Sequence, residues 1–315
     1  MRVVRPSASA AAEQSDPSGL TRYLPELAAL TVVVLWASTF IVTKNAFETF
    51  SPLAFVGIRF VLMTALALGV LYVRGRKDPA RYFQVARDDW SRFVLVGLVG
   101  YGVYQLGFNF GLEHSSPFAA SLIMAMTPVF ALGIATFQGE RSTWLVWLGV
   151  LVAVAGVVVF LTDKNSGGTV LGTVLMLVAS VSSAIYSVTN RPLVRTYPFE
   201  TVAAITTIAG AVPLVLVSLP QMIDQDWTRP SFWDYLALVY MVILPVYVAY
   251  ILWNWAINQR GISITGGQLL VPVVSGGFSA LFFSESFGLV KIIGGVIALA
   301  GLVLMRISAR RVTKS

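Results

Sequence analysis

Two stretches of the chain, "FNFGLEHSSPFAASLIMAMTP" at residues 108–128 and "WNWAINQRGISITGGQLLVP" at residues 253–272, follow the same plan. Each leads from an aromatic segment containing an asparagine, through a polar segment, into an apolar segment that ends at a proline. Asn109 and Asn254 are 145 positions apart, and Pro128 and Pro272 are 144 apart. An ordered set of residues that recurs at one offset indicates an internal duplication.

The duplication extends to both ends of the chain. Three further pairs are also separated by 145 positions: Glu140 and Glu285, Gly149 and Gly294, and Gly156 and Gly301. Upstream, Pro52 corresponds to Pro198 at an offset of 146. We therefore interpret the chain as two copies of one unit.

Composition shows what kind of unit is repeated. Of the 315 residues, 57% are hydrophobic and 12% are charged, whereas a soluble domain carries about 25% charged residues. Apolar runs of the length that crosses a bilayer as a helix recur along the chain, and the alternation of a membrane β-barrel is missing. We predict ten transmembrane helices, at about 26–45, 52–73, 92–112, 117–138, 144–162, 169–190, 199–219, 232–256, 264–284 and 287–307.

The predicted fold is thus an all-α polytopic membrane protein. Because each copy has an odd number of helices, the second copy enters the membrane from the opposite side, and the repeats are inverted around a central cavity. The expected organisation is a disordered cytoplasmic tail at 1–25, a first repeat at 26–162, an outer loop at 163–168, a second repeat at 169–307 and a cytoplasmic tail at 308–315.

The net charge of +7 is explained by topology. Most Lys and Arg residues fall in segments that share one side if the N-terminus is inside, and basic residues mark the cytoplasmic side of short loops. We therefore expect both termini in the cytoplasm, a lipid bilayer as the surroundings and no nucleic-acid partner. The absence of cysteine excludes disulfides and cysteine-ligated metals.

Four segments resemble a known family. They are "LWASTFIVTKNAF" (35–47), "GLEHSSPFAASLIMAMTPVF" (111–130), "GERSTWLVWLGVLVAVAGV" (139–157) and "SESFGLVKIIGGVIALAGLVL" (284–304). Over about residues 26–307 the chain resembles the EamA-type drug/metabolite transporter superfamily, and within it the bacterial aromatic amino-acid exporters of the YddG type. The resemblance implies a ten-helix inner-membrane exporter whose cavity is formed mainly by helices 1, 3, 4, 6, 8 and 9.

Aromatic and amide side chains are the main candidates for substrate contact. Helical periodicity places Tyr101, Gln105 and Phe108 on one face of predicted helix 3, and the repeat sets Tyr250 and Asn254 opposite. Such faces suit an aromatic zwitterion, although membrane interfaces also collect aromatic residues and amides also join helices. The candidates are Trp36, Ser38, Thr39, Tyr101, Tyr104, Gln105, Phe108, Asn109, Tyr186, Tyr250, Asn254 and Gln268.

Pro128 and Pro272 occupy equivalent positions within predicted helices 4 and 9. Proline removes a backbone hydrogen bond and kinks a helix. Paired kinks in inverted repeats would serve as hinges for alternating access; the alternative is a static kink that only shapes the cavity.

Charge inside the predicted spans is scarce. Arg59 is the clearest case, and intramembrane charges are candidates for function; the alternatives are snorkelling to the interface and bonding to carbonyls. No Asp or Glu is expected at mid-membrane, where a proton-coupled antiporter commonly needs one.

Together these features favour a secondary carrier that exports aromatic or neutral amino acids by facilitated, uniport-like transport. The alternative is a broad-specificity drug or metabolite efflux carrier with proton antiport. An ATP-driven pump lacks its nucleotide motif, a membrane enzyme lacks converging acids or histidines, and a channel fits paired hinges poorly. We expect no catalytic residue, no cofactor or metal and no obligate protein partner.

Overall fold

The computed structural model describes residues 23–140, 142–163 and 166–312. Within these ranges the chain forms ten helices long and apolar enough to cross a membrane, and no β-strand. They are α1 (Leu24–Ala46), α2 (Pro52–Gly75), α3 (Arg87–Glu113), α4 (Pro117–Phe137), α5 (Trp144–Leu161), α6 (Val170–Thr196), α7 (Phe199–Asp224), α8 (Phe232–Arg260), α9 (Gly266–Phe283) and α10 (Leu289–Ala309). The predicted fold of two inverted five-helix repeats is confirmed.

The ends of the chain fall partly outside the described residues. The tail expected at 1–25 does so up to residue 22. At the other end, the last helix runs on to Val312, into the segment expected to be a tail. A short helix, Pro79–Phe83, lies between α2 and α3.

The third and fourth helices of both repeats depart from regular α geometry at equivalent places. A π-helical turn occupies residues 98–103 of α3 and residues 243–248 of α8. The helix α4 divides into Pro117–Met124 and Thr127–Phe137, and Val271–Phe283 of α9 follows a 3₁₀ segment, Gly261–Leu270. Pro128 and Pro272 therefore lie in the first turn of a helical segment, a position that tolerates a missing N–H.

The last helices of the two repeats, α5 and α10, pack against each other along four glycines. A Cβ atom on Gly149 would meet the backbone of Met305, and one on Gly156 would meet that of Ala298. Gly294 faces Phe160 and Gly301 faces Ala153 in the same way. Small residues let membrane helices approach to backbone contact, so the four repeat-related glycines form one seam, the glycine seam.

The loops that follow odd-numbered helices lie at one end of the bundle, which we call the first end. The loops that follow even-numbered helices lie at the opposite end, which we call the second end. At the first end, Lys291 Nζ lies 2.5 Å from Glu285 Oε1, and both side chains are buried. The Glu285 carboxylate also accepts from Ser116, at 2.6 Å, and from Ser279. This buried pair ties the starts of α4 and α10 to the end of α9.

Exposed ion pairs join helices at the second end. Arg260 pairs with Glu26 at 2.7 Å and Arg74 with Glu200 at 3.6 Å. Tyr197 donates to Asp89 at 2.6 Å, and this bond raises the pKa of the Tyr197 hydroxyl. Exposed pairs of this kind contribute little stability each.

Candidate functional site

A cavity of about 630 Å³ lies in the middle of the bundle. Its wall includes the side chains of α1, α3, α4, α6, α8 and α9 that the family resemblance implies, together with Arg59 and Met63 of α2 and Arg306 of α10. This volume lies within the range of small-molecule sites. The lining is mostly apolar and aromatic with a few hydroxyl, amide and guanidinium groups, which is the usual composition of a site for a small organic ligand.

The aromatic part of the wall is centred on α1 and α3. Trp36 packs on Trp253 with ring centroids 5.1 Å apart, and its Nε1 donates to the carbonyl of Pro245 at 3.2 Å. Pro245 lies in the π-helical turn of α8. Phe108 contacts Phe40 at 5.3 Å. These contacts fix the rings around the cavity, so a ligand ring would meet a rigid apolar surface.

A polar chain crosses from α2 to α3 beside these rings. Arg59 is 4% exposed, and its Nη2 donates to Gln105 Oε1 at 2.5 Å. The same Gln105 oxygen accepts from Asn109 Nδ2 at 3.1 Å. Arg59 therefore does not snorkel to an interface; the side-chain amide of Gln105 holds it inside the bundle.

The break in α4 contributes hydroxyl groups to the wall. Thr127 Oγ1 donates to the carbonyl of Met124 at 2.7 Å and lies 3.0 Å from Ser180 Oγ of α6. Pro128 and Pro272 both line the cavity. The irregular backbone of α4 and α9 is thus located at the cavity, where hinges would have to act.

Half of the candidate residues line this cavity: Trp36, Thr39, Tyr104, Gln105, Phe108 and Gln268. The other six lie outside its lining. Ser38 shares a hydrogen bond of 2.5 Å with the hydroxyl of Tyr240. Tyr101 and Tyr186 pack against each other with ring centroids 5.7 Å apart. Asn109 is buried beside Gln105. Tyr250 stacks on Phe199 at 3.8 Å, and Asn254 bonds the carbonyl of Tyr250.

The π-helical turns account for part of this division. A π turn holds more residues than an α turn, so the turn at residues 98–103 rotates Tyr101 away from the face that carries Gln105 and Phe108. In α8 the pattern is reversed, since Val246 inside the turn at residues 243–248 lines the cavity, whereas Tyr250 and Asn254 after the turn do not. Contact of any of the twelve residues with substrate stays a prediction.

Several lining residues were not among the candidates. One is Arg306, and three are methionines: Met63, Met124 and Met241. Ser183 and Ser187 also line the cavity, and their spacing of four residues on α6 is a signal for one helix face. For the methionines the sequence holds no comparable signal, because any apolar face of a membrane helix can meet lipid instead.

Inverted repeats around a central cavity are the architecture of many secondary transporters. The model of the EamA-like transporter family matches residues 24–162 and again residues 170–307, and the chain belongs to that family. It is therefore a multi-pass membrane transporter.

Individual relatives are also transporters. The chain is 28% identical over 276 residues to a probable terminal-alkyne amino-acid exporter of Streptantibioticus cattleyicolor, a match that covers 87% of this chain and 90% of the relative. It is 27% identical over 294 residues to a probable amino-acid metabolite efflux pump of Escherichia coli, covering 87% and 92%. A crystal structure that is 23% identical superposes with a TM-score of 0.60 over 91% of this chain and 98% of the other, which supports the fold.

Proposed function

We propose that the protein is an inner-membrane carrier that exports aromatic or other neutral amino acids by alternating access. The observation that carries the proposal is the lining of the cavity, where rigid aromatic rings surround amide and hydroxyl groups. Aromatic surfaces suit the side chain of such a solute, and polar groups replace water around its charged end. Two relatives whose names refer to amino-acid export support the same substrate class.

The opening of the cavity supports the direction of loading. Ser187 and Gln268, on the second-end side of the cavity, are exposed, whereas Phe108 and Ser121, on the first-end side, are buried. The excess of basic residues in the segments at the second end favours a cytoplasmic location for that end. With that orientation, the proposal assigns this conformation as open to the cytoplasm and closed outwards, with the buried Glu285–Lys291 pair at the closed end.

The charges of the cavity bear on energy coupling. Among the described residues that line it, none is an Asp or Glu. A carboxylate within the membrane is the usual carrier of a coupled proton. Facilitated exchange down the solute gradient is therefore favoured over the alternative, broad drug or metabolite efflux with proton antiport.

Counterflow in proteoliposomes tests the proposal. Vesicles loaded with unlabelled phenylalanine should take up labelled phenylalanine saturably and without an imposed pH gradient. Trp36→Ala should reduce the rate, whereas Trp233→Ala, whose ring is 72% exposed on the outside of the bundle, should leave it unchanged. Transport of cationic drugs alone, driven only by an imposed pH gradient, would establish the alternative.

A further inference from the structure

We propose that Arg59 and Gln105 form a carboxylate-binding subsite, so that the carboxylate rather than the ammonium group of the solute is what the cavity recognises. This inference rests on the proposed function and names the charge that selects its substrates. The subsite would accept an aromatic carboxylate that lacks an ammonium group and reject an aromatic amine that lacks a carboxylate.

Arg59 is a buried cation without a counter-ion. Among the described residues no carboxylate oxygen lies within 4.0 Å of its guanidinium. Its Cζ lies over the rings of Phe55 and Phe60, 5.6 and 5.7 Å from their centroids. A buried charge without an opposite charge is costly to keep, and a membrane-embedded one marks a functional site by default.

The hydrogen bonds show which atoms are available to a ligand. Arg59 Nη2 is occupied by Gln105 Oε1, and Nε is fully enclosed without a partner. Nη1 makes no hydrogen bond to the described residues and is not among the enclosed atoms. Since Arg59 lines the cavity, Nη1 is the donor it offers there.

Gln105 supplies a second donor next to it. Arginine can only donate, so the Gln105 oxygen must face Arg59, and Asn109 Nδ2 donates to that same oxygen. The amide nitrogen of Gln105 therefore points the other way, and Gln105 lines the cavity. A carboxylate bound in the cavity could accept from the guanidinium of Arg59 with one oxygen and from the Gln105 amide nitrogen with the other.

The charge of the whole cavity has the same sign. Arg306 is the other charged residue among the described residues of the lining, and none of these lining residues is an Asp or Glu. In a low-dielectric cavity this excess attracts an anionic group and repels a cation. The ammonium group of an amino acid finds no carboxylate here, so it contributes little to recognition.

Competition with labelled L-phenylalanine in counterflow tests the subsite in the wild-type full chain. The competitors are 3-phenylpropionate, which lacks the ammonium group, and 2-phenylethylamine, which lacks the carboxylate. We expect 3-phenylpropionate to compete and 2-phenylethylamine to be at least about tenfold weaker, the value of one charge-assisted hydrogen bond. Equal competition by the amine would overturn the proposal without any variant.

Substitutions separate a binding role from a structural one. Arg59→Met should raise the half-saturating phenylalanine concentration at least about tenfold and abolish the difference between the competitors. Its thermal midpoint in detergent should equal or exceed that of the wild type, because an unpaired buried charge is removed. Arg76→Met, at the exposed end of the same helix, is the matched control and should change neither quantity.

The outcomes distinguish the two proposals. An Arg59→Met protein that is less stable but binds phenylalanine as tightly as the wild type shows a structural role and overturns the subsite. A wild-type protein that moves 3-phenylpropionate but no amino acid overturns the proposed function and supports the subsite. One that moves only amines or cationic drugs overturns both.

Discussion

Removing the Lys291 ammonium should destabilise the protein more than removing both members of its ion pair. The ammonium is 0% exposed and the Glu285 side chain 8% exposed. Lys291 also donates to the carbonyl of Ser286 at 3.2 Å and lies 4.9 Å from the Phe287 ring. In Lys291→Met, Glu285 keeps its two serine donors and has no other cation within ion-pair distance among the described residues.

The magnitude follows from that geometry. Leaving one partner of a buried ion pair unpaired costs about 3–5 kcal/mol, whereas replacing both by neutral groups is often close to neutral. The double variant Glu285→Gln/Lys291→Met loses the pair but leaves no charge behind. We therefore expect a loss of about 3–5 kcal/mol for the single variant and less than about 2 kcal/mol for the double variant.

Unfolding titrations with SDS in mixed micelles measure both values. Lys44→Met is the matched control, because Lys44 donates to the carbonyls of Leu112 and Glu113, at 2.9 and 2.7 Å, rather than to a carboxylate. Lys44→Met should lower the free energy of unfolding by about 1–2 kcal/mol, the contribution of hydrogen bonds from a cation to a helix C-terminus. A single Lys291→Met variant as stable as the double variant would refute the reasoning.

Three further predictions concern packing, the hinge and pH. Gly156→Ala should cost about 1–3 kcal/mol or more in the same titration, because its Cβ would enter the α10 backbone, whereas Gly69→Ala, which has open space around it, should not destabilise the protein. Pro128→Ala and Pro272→Ala should each slow counterflow at normal expression if the helix breaks act as hinges; unchanged rates in both would leave static kinks. Tyr197 should ionise at higher pH than free tyrosine, because its hydroxyl donates to the Asp89 carboxylate, which raises its pKa. An ultraviolet difference titration of the wild type against Tyr197→Phe measures this pKa. A midpoint at or below that of free tyrosine would contradict the prediction.

The number of helices and their inverted arrangement could be predicted because both can be read from the sequence without knowing which helices are neighbours. Apolar length determines a span, and fixed offsets between Asn109 and Asn254 or Gly156 and Gly301 reveal a duplication. The spacing alone could not show that the four repeat-related glycines meet at one interface. That requires the two last helices to be neighbours, which is a tertiary fact.

The cavity was harder to predict, since it depends on the rotation of each helix. An uninterrupted 3.6-residue period was assumed through α3, and the π-helical turn at residues 98–103 changes that rotation. Repeat symmetry also fails in places. Glu140 lies 4.0 Å from Arg191 and is exposed, whereas its counterpart Glu285 is buried with Lys291, and only the neighbouring helices decide between these outcomes.

The contacts of the glycine seam are reciprocal between the two repeats. Gly149 meets Met305, and the residues at the equivalent positions of the other repeat, Gly294 and Phe160, also meet. The same holds for Gly156 with Ala298 and for Gly301 with Ala153. Such reciprocity is the property of an isologous interface, in which one patch binds an identical copy of itself. Each five-helix half thus carries both sides of the contact by which it pairs with the other, inverted half.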